Sequence, residues 1–240
     1  MAYIRKTYRF RNAVEIEEYH SARYGAPGMS RQEKSKRSPE DMERLNQWKR
    51  EKKCRHKLRW YFNLNDYYVT LTYRKDERPP GMEAAKKHFS DFIRKLKRQY
   101  KKQNIEMRWI RNIEVGTRDG WHIHMVINRI PDLDILISRF WIHGRAIWEG
   151  LHKHREFAKL AAYMVKTSKT DPRLRETSYS ASRNMPLPEP EKKIYRSKTW
   201  KAEPVIEEGW YLDKESYVEG INPVTGYPYR HYTKIRTMRC

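Results

Sequence analysis

Hydrophobic positions between residues 67 and 128 switch between two periods. Tyr67-Tyr68-Val69-Thr70-Leu71-Thr72-Tyr73 alternates with period two and is rich in β-branched residues. It predicts a strand with Val69 and Leu71 facing the core and Thr70 and Thr72 facing the other way. Pro79-Pro80-Gly81 breaks the pattern, and Met82, Ala85, Phe89, Phe92, Ile93, Leu96 and Tyr100 then recur at helical spacing. That spacing predicts an amphipathic helix over 82–102. Glu106 to Val115 and Gly120 to Asn128 read as two strands joined by a turn at 117–120, where Gly120 suits a positive φ. Leu133, Ile137, Phe140 and Trp141 mark a helix over 132–142, and Gly144 to Gly150 a short strand. A third helix runs from Arg155 to about Ser168, with Phe157, Leu160, Ala161 and Met164 inward. The first six elements, in the order β-α-β-β-α-β, make a ferredoxin-like, RRM-like split βαβ unit of α+β class. Its first and third strands are central neighbours, so Thr70 and Thr72 are expected beside His122 and His124.

The flanks are less regular. Ser38-Pro39-Glu40-Asp41 opens a helix, with Ser38 as cap, Pro39 at the first helical position and Asp41 completing a capping box. That helix is expected to run to about Trp60, its second half dense in Lys and Arg. Residues 1–37 read as a polar, irregular arm with a turn at Tyr24-Gly25-Ala26-Pro27-Gly28 and a basic run from Arg31 to Arg37. Beyond residue 170 the chain is Pro-broken. Glu176 to Ser182 fits a strand and Met185 to Pro190 an extended segment. Trp210-Tyr211 and Tyr227 to Arg236 suit either single-strand contacts or edge strands. The expected organisation is a basic N-terminal arm and helix over 1–60, a catalytic domain over 61–172 and an irregular C-terminal extension over 173–240.

Charge narrows the partners. Lys and Arg total 52 against 30 Asp and Glu, a net charge of +22. Such an excess points to a polyanion. No apolar run approaches the roughly 18 residues of a membrane span, and the basic N-terminus lacks the apolar stretch of a signal peptide. Nucleic acid is therefore expected, and no membrane. Aromatic residues at 13%, mixed with cations, suit base stacking on single strands. Cys54 and Cys240 form no motif, which fits a reducing cytoplasm. The absence of a Gly-x-x-x-x-Gly-Lys-Ser/Thr loop leaves strand separation to a helicase of the host.

The candidate chemistry sits in Trp121-His122-Ile123-His124. In a strand the two imidazoles project from one face and Ile123 from the other. A two-residue Asp-Gly turn would place Glu114 on the face opposite the histidines. A three-residue loop, Arg118-Asp119-Gly120, pairs Thr117 with Trp121 and Glu114 with His124. The second register is preferred because it also aligns Ile113 and Val115 with Ile123 and Met125. Glu114, His122 and His124 then converge as one oxygen and two nitrogen ligands, suited to Mg²⁺ or Mn²⁺ and less clearly to Zn²⁺. On the third helix Lys159, Tyr163 and Lys166 share a face. Ammonium groups beside a phenol are expected to ease loss of its proton, which makes Tyr163 a candidate nucleophile.

Together these residues resemble the HUH endonucleases, and within them the rolling-circle replication initiators of bacterial phages, plasmids and integrative elements. Tyr68-Val69-Thr70-Leu71-Thr72-Tyr73 is similar to the first family motif, His122-Ile123-His124 to the second and Tyr163-Met164-Val165-Lys166 to the third, in the family's order over about residues 67–169. Glu114, eight residues before His122, matches the place of a third ligand in many viral initiators. Ser182-Arg183-Asn184 and Asn222-Pro223-Val224-Thr225-Gly226-Tyr227 resemble phage-type initiators with less specificity. The resemblance implies that Tyr163 attacks a phosphodiester of single-stranded origin DNA, forming a 5′-phosphotyrosyl link and releasing a 3′-OH. It implies that Glu114, His122 and His124 hold Mg²⁺ or Mn²⁺, that Lys166 positions the phosphate, and that Thr70, Thr72, Lys159 and Arg183 contact DNA. Thr167 stands where some phage initiators carry a second tyrosine, which favours a single-tyrosine scheme in a monomer or weak dimer. The rival readings are a transposase or relaxase of the same chemistry and a passive single-strand binder on an RRM-like sheet. Relaxases usually add a third histidine, and the aromatic, Gly-rich strand of RRM proteins is missing here.

Overall fold

The computed structural model describes residues 2–20, 38–116, 120–151, 157–165, 179–222 and 226–237. In chain order the elements are β1 (Tyr3–Arg9), β2 (Ala13–Tyr19), α1 (Pro39–Tyr61), β3 (Tyr67–Thr72), α2 (Met82–Lys102), β4 (Trp109–Gly116) and β5 (Gly120–Ile127). There follow α3 (Leu133–Phe140), β6 (Ala146–Gly150), α4 (Ala158–Val165), β7 (Tyr179–Ala181), β8 (Glu191–Tyr195), β9 (Trp210–Ile221) and β10 (Pro228–Arg236). The fold is α+β, with two antiparallel five-stranded sheets and four α-helices among the described residues. Two compact units divide the chain: Met1–Trp48 with Leu187–Cys240, and Lys49–Pro186. The first and last segments of the sequence thus share one unit, where a three-segment organisation over 1–60, 61–172 and 173–240 was expected.

In the unit Lys49–Pro186 the strand order is β6-β3-β5-β4-β7. Its first four members stand in the ferredoxin-like order, and β3 and β5 are central neighbours. Thr70 pairs with His124 and Thr72 with His122. Period-two alternation sorts the side chains to two faces. Val69, Leu71, Ile113, Trp121, Ile123, Met125 and Ile127 pack against Phe89, Phe92 and Leu96 of α2 and Leu133 and Ile137 of α3. Each such side chain contributes about 1.5–3 kcal/mol when fully buried. Ile110 and Val126 face the other way, onto Leu160, Ala161 and Met164 of α4 and onto Cys54 and Leu58 of α1. The thin apolar stripe of α1 predicted from Met42, Leu45 and Trp48 is therefore not its core contact in this unit; Cys54 and Leu58, set among the cations, are. Ser38 caps α1 as expected, its Oγ accepting from the Asp41 N–H at 3.1 Å.

The β4–β5 register differs from the preferred one. Gly116 pairs with Gly120, so Glu114 stands opposite His122 and Asn112 opposite His124. The slip amounts to an even number of residues, and an even slip leaves every side chain on its own face. Residues 117–119 of the loop lie outside the described residues.

The approach of β3 to the segment before β6 depends on Gly144. A Cβ built there would fall 2.2 Å from the Thr72 carbonyl oxygen and 2.9 Å from Tyr73 Cα. The same stretch is tied by backbone bonds from Thr72 to Arg145 and from Arg74 to His143, each 2.8 Å. Gly144→Ala must displace main chain, and it is expected to cost about 1–3 kcal/mol by overpacking. A urea melt that places the variant within a few tenths of a kcal/mol of the parent would contradict this reading.

The unit Met1–Trp48 with Leu187–Cys240 overturns the expectation of an irregular arm and an irregular extension. Its sheet runs β8-β1-β2-β10-β9, joining the two ends of the chain. Val14, Ile16 and Tyr232 form the core of one face, with Trp210 and Leu212 packed against them. On that face Glu18 is fully buried between two guanidinium groups. It accepts from Arg5 Nε at 2.8 Å and from Arg230 Nε and Nη2 at 2.9 and 2.6 Å. Burial of both signs of charge makes these strands look like solvated segments when read alone.

Candidate functional site

Glu114 on β4, His124 on β5 and Tyr163 on α4 meet on the α4 side of the sheet. Alternation along the strands turns Ile113 and Ile123 inward and so leaves Asn112, Glu114, His122 and His124 on this face. Leu160, Ala161 and Met164 seat α4 on the sheet, which directs Tyr163 at Glu114 and His124. Tyr163 Oη lies 3.0 Å from Glu114 Oε2 and 2.9 Å from His124 Nε2. Glu114 Oε2 and His124 Nε2 are themselves 3.4 Å apart. Tyr68 Oη lies 2.8 Å, and Thr70 Oγ1 3.2 Å, from the other ring nitrogen, His124 Nδ1. Asn112 Nδ2 donates to Glu114 Oε1 at 3.3 Å.

One assignment of protons satisfies this whole network. Tyr68 donates to His124 Nδ1, His124 Nε2–H donates to Tyr163 Oη, and Tyr163 donates to Glu114 Oε2. Tyr163 is then a neutral phenol whose hydrogen already points at a carboxylate. Burial, and next the charge of Glu114, push its pKa up. This reverses the expectation that flanking lysines draw it down: Lys159 is exposed on α4, and Lys166 lies outside the described residues. Burial also pushes Tyr68 up to about 12. His122 is held below the ordinary imidazole value, by burial first and then by His124, with Glu114 opposing.

The remaining residues singled out from the sequence are placed as follows. His122 shares the face of His124, its ring centroid 6.2 Å away, and a Cβ at Gly116 would lie 3.9 Å from its Cε1. Thr70 touches His124, whereas the Thr72 hydroxyl is engaged by the backbone of Arg145, at 3.2 Å to both N and O. Arg183 is exposed just after β7. Tyr68 and Asn112 belong to the site without having been given a role from sequence. The available signal was their two-residue spacing from Thr70 and from Glu114.

Glu114 and His124 supply an oxygen and a nitrogen at one point, and their outer atoms are already oriented by Asn112, Tyr68 and Thr70, as metal ligands require. Their chemistry fits a divalent cation, with His122 adjacent. A second group of ligand atoms, all within 4.8 Å of one another, lies in the other unit: Glu15, Glu17 and His231. That cluster meets the spacing for one divalent cation, but it belongs to a different sheet from Tyr163.

Residues 66–169 match a family model of replication-associated proteins of the ORF2 type. The match runs from just before β3 to just beyond α4 and includes Glu114, His122, His124 and Tyr163. It gives the chain a replication-associated, ORF2-like domain over that segment, consistent with an HUH-type initiator. No curated protein and no solved structure matched the chain.

Proposed function

We propose that the domain is a tyrosine endonuclease and strand transferase that nicks single-stranded origin DNA to start rolling-circle replication. The observation that carries this reading is the Tyr163 hydroxyl, held by Glu114 and His124 at 3.0 and 2.9 Å inside the segment similar to replication proteins. Tyr163 Oη attacks the scissile phosphorus as its proton passes to Glu114 Oε2. The bond from phosphorus to the 3′ oxygen breaks, that oxygen leaves as a 3′-OH after taking a proton, and the 5′ phosphate stays on the tyrosine. Running the step in reverse with another 3′-OH rejoins strands, so the enzyme conserves the bond energy as a phosphotyrosyl ester.

Glu114 and His124, with His122 beside them, would hold Mg²⁺ or Mn²⁺. Such an ion, when bound, polarises a phosphate oxygen and favours the phenolate. The raised pKa of Tyr163 supports this need for positive charge, because no described cation offsets burial and Glu114 among the causes of its shift. His124 acts through Nε2, and Tyr68 and Thr70 fix its ring. The net charge of +22 supports DNA as the partner, with a host helicase opening the duplex in the bacterial cytoplasm.

The test is a denaturing gel. Full-length protein is incubated with labelled single-stranded oligonucleotides tiling its own locus, with Mn²⁺ or with EDTA. An SDS-resistant band that requires the metal is the expected result. Binding to the oligonucleotides with no adduct anywhere in the tiling would overturn the enzyme reading in favour of a passive single-strand binder.

A further inference from the structure

The second sheet carries two buried charge clusters on opposite faces, and they are resolved differently. On one face Glu18 is flanked by Arg5 and Arg230. On the other, carboxylates gather around one imidazole. Cross-strand pairing sets Tyr8, Glu15, Thr233 and Asp213 in one row across β1, β2, β10 and β9. Glu17 pairs with His231 in the next row. Directly opposite residues project from the same face of a sheet, so three carboxylates, a hydroxyl and an imidazole share one patch.

We infer that this patch is a divalent-cation site of its own, with Glu15, Glu17 and His231 as ligands and Asp213 and Thr233 as additional oxygen donors. It is independent of the proposed nuclease site. The ligand atoms of Glu15, Glu17 and His231 already lie within 4.8 Å of one another. His231 Nδ1 lies 3.2 Å from the Ser216 carbonyl oxygen, which only accepts, so Nδ1 carries the hydrogen. A neutral ring therefore turns the lone pair of Nε2 toward Glu15 Oε1, 3.0 Å away. Metal-bound histidines are oriented in this way, by a backbone carbonyl on the far nitrogen. Tyr8 Oη donates to Glu17 Oε2 at 3.2 Å and so orients a second ligand.

The observation that points beyond an internal ion pair is a pair of buried oxygens. Thr233 is fully buried and Asp213 is 5% exposed. Thr233 Oγ1 and Asp213 Oδ2 have no hydrogen-bond partner among the described residues. Thr233 stands between Glu15 and Asp213 in the cross-strand row. Buried oxygens without partners cost about 1–3 kcal/mol each, and a cation in the patch would satisfy them. An oxygen-rich donor set with one imidazole favours Mn²⁺ over the softer, thiolate-seeking ions.

The test uses the full chain carrying Glu114→Gln and His124→Ala, so that Mn²⁺ taken up near Tyr163 does not obscure the count. Free Mn²⁺ is followed by its electron paramagnetic resonance signal during titration. One ion bound per chain is expected, with affinity reduced at least ~10-fold by His231→Gln. Should circular dichroism show that His231→Gln fails to fold, Glu17→Gln, which alters a partly exposed ligand, decides by the same criterion. No binding in the parent chain, or unchanged affinity in the folded variant, would overturn the site and leave Glu15–His231 as an ion pair.

Discussion

Tyr163→Phe is expected to abolish the covalent protein–DNA band while oligonucleotide affinity stays nearly unchanged. The substitution removes only the nucleophilic oxygen. Loss of a covalent nucleophile typically lowers turnover by roughly four or more orders of magnitude, even with binding intact. The ring keeps its place, because Leu160, Ala161 and Met164 seat α4 independently of the hydroxyl. Stability is expected to change by only about 1 kcal/mol, the usual net worth of a hydrogen bond. A variant that still forms adduct would remove Tyr163 from the reaction. Glu114→Gln provides the companion measurement. Removing that carboxylate charge is expected to lower the pKa of Tyr163, since Glu114 is one of the groups that raise it. Adduct formation should nevertheless fall, because the proton acceptor and a metal ligand are lost together. An ultraviolet titration of the phenol, paired with the gel, separates these two effects.

The second large effect concerns stability. Glu18→Ala is expected to destabilise the sheet built from the two chain ends by about 3–5 kcal/mol, the range for removing one partner of a buried ion pair. Arg230, 2% exposed, would keep its Nη1 bonds to the carbonyl oxygens of Lys201 and Ala202, at 2.8 and 2.9 Å. Its charge would have lost the carboxylate that balances it. Arg5 is better placed to find water, with 30% of its side chain exposed. Against a typical total of about 5–15 kcal/mol for a domain, such a loss approaches unfolding. Pairing Glu18→Leu with Arg230→Met should recover much of it, because apolar replacement of both partners is often neutral or stabilising. Chemical denaturation followed by far-ultraviolet circular dichroism measures both variants. A single-variant loss below about 1 kcal/mol would place the pair among water-screened surface bridges.

The two units differ in how far their sequences disclose them. Between Tyr67 and Ile127 the apolar residues alternate cleanly, and burial follows the alternation. Val69, Leu71, Ile123 and Met125 are fully buried on one face, and the histidines take the other. The side of the sheet on which Glu114, His122 and His124 lie was therefore legible without coordinates. It survived a misjudged register because the slip was even. In β1, β2 and β10 the same reasoning fails. Glu15, Glu18, Arg230 and His231 are buried, and a rule that assigns charged residues to solvent reads those strands as tails.

By itself, then, this sequence determines the ferredoxin-like order of strands, the face that carries the histidines, and the helix that presents Tyr163. Each follows from interactions within a strand, a helix or adjacent elements, which a periodic pattern records. The tertiary structure alone decides that Tyr163 bridges Glu114 and His124, 49 and 39 positions away, and that its environment raises its pKa. It alone decides that the chain ends form one sheet, where Glu18 finds Arg230 across 212 positions. A charge is stable in a protein interior only beside its counter-charge, and local sequence carries no record of a partner brought there by the fold.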